Sequence, residues 1–294
     1  MKQGEKAAKG PPMIERVAEL AMQLGQRYLA PYGATRSRHD FTQRQLMSCL
    51  VLRAYLKTTY RGVLEILEMS PRLREQLGLH EKLPHFTTLQ KFSGRSEVLA
   101  IVKRLIAAVG QAADAQGPED QAAAMDSTGL AITPASGYFR SRSGPSRRSW
   151  VKLSVVVFCG SLVPLSLVLD WGPSNDRVQA PQLLAQAQAV GQPAKLYADA
   201  GYDAEWIHEQ CREQWQVQSV IKPSGQRADG QRNGKWRQAM SAQHLKESGY
   251  GRRWAVESFF SGLKRTMGAA LSARRSHQLL AEAAFRVLAY TLRR

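Results

Sequence analysis

The chain has 294 residues, 44% hydrophobic and 22% charged, which argues against wholesale disorder and leaves room for one large domain plus a smaller unit. Forty-one Lys and Arg stand against 24 Asp and Glu, a formal charge of +17 that points to a polyanion partner, nucleic acid ahead of a ribosomal surface or an anionic membrane. Cys49, Cys159 and Cys211 are too few and too scattered for a disulfide framework or a structural zinc site, and no apolar run suits a secretory leader or a membrane span, so a cytoplasmic, nucleoid-associated protein is expected.

Residues 1–12 read as a disordered lead, and 13–118 as an all-α N-terminal domain. Ile14, Val17, Leu20, Ala21 and Leu24 recur at helical spacing; a second helix opens at Thr42 and carries Leu46, Leu50, Leu52 and Leu56; a third holds Val63, Leu64 and Leu67. In LPHFTTLQKFSGR, Pro84 precedes an N-cap expected at Thr87 or Thr88, with Leu89 and Phe92 on one face. This short helix suits either a helix-turn-helix recognition element or plain scaffold. A further helix over 97–114 ends at the Gly117-Pro118 break, taken as the domain boundary.

From 119 to 294 the pattern becomes α/β. AAAMDSTGLAI, WVKLSVVVFCG and LVPLSLVLD are three β-rich runs, followed by a helix from Pro181 to Val190, a strand in AKLYADAGYD, a helix in AEWIHEQCREQW and a fifth strand in VQSVIKPS. Residues 225–243 read as a basic loop, and the C-terminal stretch as helical.

Asp126 closes the first of these strands and Asp199 the fourth, each ahead of a turn. A carboxylate at the end of an apolar strand is costly unless it has a partner or a task. The bland alternative for each is an Asp that caps its own turn. Side by side on neighbouring strands, the two would form the start of a cation site. In SGYGRRWAVESFFSGLKR, the spacing Tyr-x2-Arg-x3-Glu-x6-Lys places Tyr250, Arg253, Glu257 and Lys264 within about a 60° arc of one helix if that helix includes Tyr250. Val256, Phe259, Phe260, Leu263 and Met267 supply its apolar side. An exposed Arg253–Glu257 ion pair is the bland alternative here.

With DSTG at 126–129, ADAGYD at 198–203 and this four-residue signature in order, residues 40–294 resemble the DDE transposases of bacterial insertion sequences, of the superfamily conventionally numbered four and five. The resemblance implies an RNase H-like mixed five-stranded sheet flanked by helices. It implies Asp126, Asp199 and Glu257 as a catalytic, metal-binding triad for Mg2+, with Mn2+ as a substitute: Asp126 bridges two ions, and the other two acids hold one each. It further implies double-stranded DNA as substrate, both element terminal inverted repeats and target, and a homodimer on DNA. Tyr250, Arg253 and Lys264 are similar to family residues that contact DNA near the cut. Thr291 departs from the family, which often has Asn there.

Two basic clusters are further candidates for DNA contact. Arg140, Arg142, Arg147, Arg148 and Lys152 follow the first strand, where a solvated loop is the alternative, and Lys222, Arg227, Arg232, Lys235, Trp236 and Arg237 follow the fifth, with Trp236 a candidate for base stacking. Asp176 and Asp203 stand as possible supports for the acids, Asp203 also as a helix cap, and Asp170 as a turn residue. His208-Glu209 is followed by Arg212 where a zinc-protease motif needs His, and no GxxxxGK[ST] occurs, so neither that metal nor ATP is expected. The alternatives to a transposase are an RNase H-like nuclease without strand transfer and a non-catalytic DNA-binding derivative.

Overall fold

The computed structural model describes residues 10–34, 36, 38–118, 121–133, 150–225 and 232–294. Packing divides the chain after Ser93 into two compact units.

The first unit is helical: α1 (Met13–Tyr28), α2 (Gln43–Tyr55), α3 (Tyr60–Glu68), α4 (Pro71–Gln76) and α5 (Phe86–Ser93). Thr42 and Gln45 form a full capping box at the start of α2, satisfying two of its unpaired amides. Met47, Cys49, Leu50, Val51 and Leu52 are all buried, so α2 is enclosed on several sides and is the centre of this unit. Gly25 lets α1 approach it: a Cβ there would sit 2.7 Å from that of Arg44. Helix α5 begins at Phe86, so Thr87 and Thr88 lie in its first turn and are not its cap.

In the second unit, α6 (Val98–Ala115) packs along β3. It therefore goes with the sheet, although the sequence put the boundary beyond it, at 117–118. Gly110 makes that contact close: an added Cβ would come within 2.6 Å of the Pro164 carbonyl oxygen. The strands are β1 (Ala122–Ile132), β2 (Trp150–Phe158), β3 (Pro164–Gly172), β4 (Lys195–Ala198), β5 (Gln218–Ile221) and the two-residue β6 (Ala270–Leu271). Their order is β3-β2-β1-β4-β5, with β6 beside β1. The first three form an antiparallel meander, and β4 and β5 run parallel to β1.

The helices of this unit that follow are α7 (Asp176–Gln188), α8 (Glu205–Glu209), α9 (Lys235–Ala239), α10 (Ala242–Glu247), α11 (Trp254–Met267) and α12 (Ser276–Arg293). This is the mixed, helix-flanked α/β sheet expected, with β6 in addition to the five strands. Helix α7 starts at Asp176, capped by Asn175, with Pro181 inside it and not at its head. The expected loop over 225–243 holds α9 and the start of α10. On one side of the sheet, Ala123, Met125, Val156, Leu165, Leu183, Leu196, Tyr202 and Ile207 belong to one buried apolar cluster. Among the described residues no helix is long and apolar enough to cross a membrane.

Candidate active site

Register places the first two acids. Met125 of β1 pairs in parallel with Ala198 of β4, so Asp126 and Asp199, each one residue further on, come side by side where β4 ends. Asp126 does not close its strand as the sequence suggested: β1 runs on to Ile132, paired with β2, and the acid lies within it. Each carboxylate is fixed by a local amide: Ser127 N–H donates to Asp126 Oδ1 (2.7 Å) and Gly201 N–H to Asp199 Oδ1 (2.8 Å). The capping alternative is thus real in geometry for Asp199, which caps the 3-10 turn after β4, and not for Asp126, which lies within β1; in each acid the amide takes one oxygen and leaves the other for a cation.

Burial raises the Asp126 carboxyl to about 6, with Asp199 and Asp176 adding to the rise while the Ser127 amide and Arg253 oppose it. Above that pH it is an anion held at a cost, which a nearby cation offsets.

The third acid arrives on α11. Val256, Phe259, Phe260, Leu263 and Met267 of this helix are buried, which fixes its rotation. Tyr250 to Arg253 form a 3-10 turn ahead of the helix and are not part of it. Even so, Tyr250 reaches the end of β4, Arg253 and Lys264 reach β1, and Glu257 joins them through Arg253. Tyr250 O–H donates to the Ala198 carbonyl (3.1 Å), and Lys264 Nζ donates to Thr128 Oγ1 (2.7 Å). Arg253 bridges two acids, with Nη1 at 3.6 Å from Asp126 Oδ2 and Nη2 donating to Glu257 Oε1. Burial works against the Arg253 charge, but Glu257, Tyr250 and Asp126 hold its pKa above the usual value. Burial raises the Tyr250 phenol, keeping it a neutral donor.

The sequence reading placed Lys152 on a basic loop; it is instead buried in β2, where Nζ donates to the Ser174 carbonyl and pairs with Asp176 Oδ1, both at 2.8 Å. Its position inside the apolar run WVKLSVVVF was the available signal, since a strand buries a Lys only for a partner. Asp176 Oδ2 faces the Asp199 side: a Cβ on Gly201 would be 3.0 Å from Asp199 Oδ1 and 3.1 Å from Asp176 Oδ2. Ser127 Oγ is 2.7 Å from both Ser154 Oγ and Tyr202 Oη, a polar string beneath the acids that no motif announced.

Asp203 does not cap α8. It accepts from Arg237 and Ser224, while Glu205 accepts from the Trp236 and Arg237 amides. Arg237 is thereby engaged within the protein, and Trp236 carries both the Arg212 guanidinium and the Lys235 ammonium at 4.4 Å from its ring centre. Asp170 accepts from the Trp171 amide and the Gln179 side chain. Thr291 is buried, its hydroxyl donating to the Val287 carbonyl. Arg140, Arg142, Arg147, Arg148 and Arg227 lie outside the described residues.

The donors gathered here are hard oxygens, the right chemistry for a small divalent cation. Their arrangement is incomplete: among the described residues no three His, Cys, Asp or Glu side chains converge as a metal-holding group, and Glu257 is paired with Arg253.

A family model described as "Transposase DDE domain" matches residues 117–292. No curated protein matches the chain. Among solved structures, the chain is similar to a piggyBac transposase in a synaptic complex with hairpin DNA, at 10% identity, over 95% of this chain and 71% of that one, with a TM-score of 0.47.

Proposed function

Because this chain belongs to the transposase DDE-domain family, matched over 117–292, we propose that Asp126, Asp199 and Glu257 are the carboxylates of its DNA-cutting centre. The protein is a transposase, an enzyme of DNA transposition that cleaves DNA and transfers strands in a metal-dependent reaction. The observation that carries the residue assignment is the meeting of Asp126, within β1, and Asp199, just past the end of the adjacent parallel β4, with Arg253 linking Asp126 to the helical Glu257.

Mg2+, with Mn2+ as substitute, is the cation these oxygen donors suit, and when bound it supplies activation of the attacking oxygen and charge stabilisation at the phosphate. Asp126 in β1 and Asp199 just past β4 hold fixed acceptor oxygens, each pinned by one amide. Lys264, braced on Thr128, presents a cation to a phosphate, and Tyr250, anchored on Ala198, borders the same opening. The net charge of +17 draws double-stranded DNA, element terminal repeats first and target second. Two ends held together call for two protomers, hence a homodimer on DNA.

The test is cleavage and joining of a labelled element-end duplex into plasmid in Mg2+. Asp126→Asn, Asp199→Asn and Glu257→Gln are each expected to lower both steps at least about a thousandfold while still binding the duplex. Full cleavage by Asp126→Asn would end the assignment.

A further inference from the structure

A positive side chain already stands where the acids need a cation. Arg253 sits on the turn just ahead of α11, reaches along the helix to Glu257, and on its other side faces Asp126 at 3.6 Å. Its side chain is 22% exposed and that of Glu257 56%, so one arm of the bridge lies at the rim and the other runs inward to Asp126, which is 18% exposed. A divalent ion shared by Asp126 and Glu257 would occupy the region of this guanidinium, and two cations do not share it.

We propose that Arg253 is a displaceable plug: without DNA it neutralises Asp126 and Glu257 and disfavours divalent metal, and a DNA phosphate draws it out, so that metal enters together with substrate. This rests on the reading of Asp126, Asp199 and Glu257 as the acids of the centre. The exchange is balanced chemically, because a guanidinium binds phosphate in the same forked, charge-assisted manner as carboxylate. Once it leaves, Glu257 is free at the rim, and Asp126 faces Asp199 and Asp176 without a counterion on that side. A divalent cation then replaces the charge that was withdrawn. Linkage makes the effect reciprocal: bound metal raises affinity for DNA by the same factor as DNA raises affinity for metal.

The experiment measures Mn2+ binding by electron paramagnetic resonance in the full chain, with and without a 20-base-pair duplex. Without DNA, Arg253→Gln is expected to bind Mn2+ at least about tenfold more tightly than the parent, whereas Arg253→Lys, which keeps the charge, stays near the parent. Duplex should tighten Mn2+ binding in the parent and much less in Arg253→Gln. Adding Asp126→Asn to Arg253→Gln should abolish the gain. Equal Mn2+ affinity of parent and Arg253→Gln, with Asp126→Asn still weakening it, overturns the plug and leaves the acids in place. Mn2+ binding indifferent to Asp126→Asn overturns both.

Discussion

Arg237 closes on Asp203 with both arms of its guanidinium, Nε to Oδ1 and Nη2 to Oδ2, each at 2.7 Å. Ser224 adds its amide and hydroxyl to the same carboxylate, whose side chain is 1% exposed. Burial alone would raise the Asp203 carboxyl, yet these bonds hold it below the ordinary carboxylate value. The pair ties α9 to the start of α8, beside the Asp199 turn. Arg237→Ala leaves that carboxylate buried without its cation, and a loss of about 3 kcal/mol in urea unfolding is expected. A change under about 0.5 kcal/mol would mean that the segment is held by something else.

A second consequence concerns acid sensitivity. His208 is buried, its Nδ1 2.8 Å from Ser219 Oγ and its Nε2 without a hydrogen-bond partner. Burial, aided by the charge of Arg212, lowers its pKa to about 4. The unfolded chain, with an ordinary imidazole near pH 6.5, therefore binds more protons between those values. Stability is full above about pH 6.5 and falls as pH drops toward 4. Between pH 7 and pH 5 this one group accounts for a loss of about 2 kcal/mol, and His208→Gln should remove that share of the slope. Parallel stability–pH curves for parent and variant would refute it.

The two aspartates were legible because each follows an apolar run of strand residues, but only Asp199 stands at a strand end before a turn; Ser-Thr-Gly after Asp126 looked like a turn, and instead β1 continues to Ile132 because Ser127 to Ala131 pair with β2. Their adjacency was not, since it depends on β4 pairing beside β1 and not beside β3, which no local pattern encodes. Pro181 misled for a physical reason: Pro favours the first turn of a helix, but here Asn175 caps the helix six residues earlier and the ring is accommodated within. Helix α9 was invisible in its own sequence because its first amides are capped by Glu205, a carboxylate 31 residues away from Trp236. The four signature residues share one face only in a helix that reaches back to Tyr250; a 3-10 turn stands there instead, and Arg253, at its end, lies across from Asp126.

Lys152 and Asp176 give a prediction that separates charge from packing. The ammonium is 6% exposed, so Lys152→Met strands Asp176 with only its carboxylate neighbours, and Asp176→Asn strands the ammonium on Ser174. Asp176→Asn should cost about 3–5 kcal/mol, the expense of a buried charge without its partner, and Lys152→Met less, because the Asp176 side chain is 33% exposed and water takes up part of its charge. The double variant should recover most of that loss, giving a coupling above about 1 kcal/mol in a double-mutant cycle. Simple addition of the two losses would show that the pair does not act as a pair.

Gly201 offers a way to disturb the acids without disturbing the fold. Its backbone lies outside the left-handed region, so alanine is not excluded by conformation. What excludes it is position, since the added methyl would stand at 3.0 Å from Asp199 Oδ1 and 3.1 Å from Asp176 Oδ2. Both are tighter than ordinary carbon–oxygen contact, and both oxygens can give by a few tenths of an ångström. The expense therefore falls on carboxylate placement and not on the core, and the 3-10 turn itself gains from alanine. Gly201→Ala should melt within about 2 °C of the parent while cleaving DNA at least about tenfold more slowly, because small misplacement of reacting groups is costly. An unchanged rate at unchanged stability would indicate that the Asp199 carboxylate does not need its observed position, and a large drop in melting temperature would place the role of Gly201 in folding.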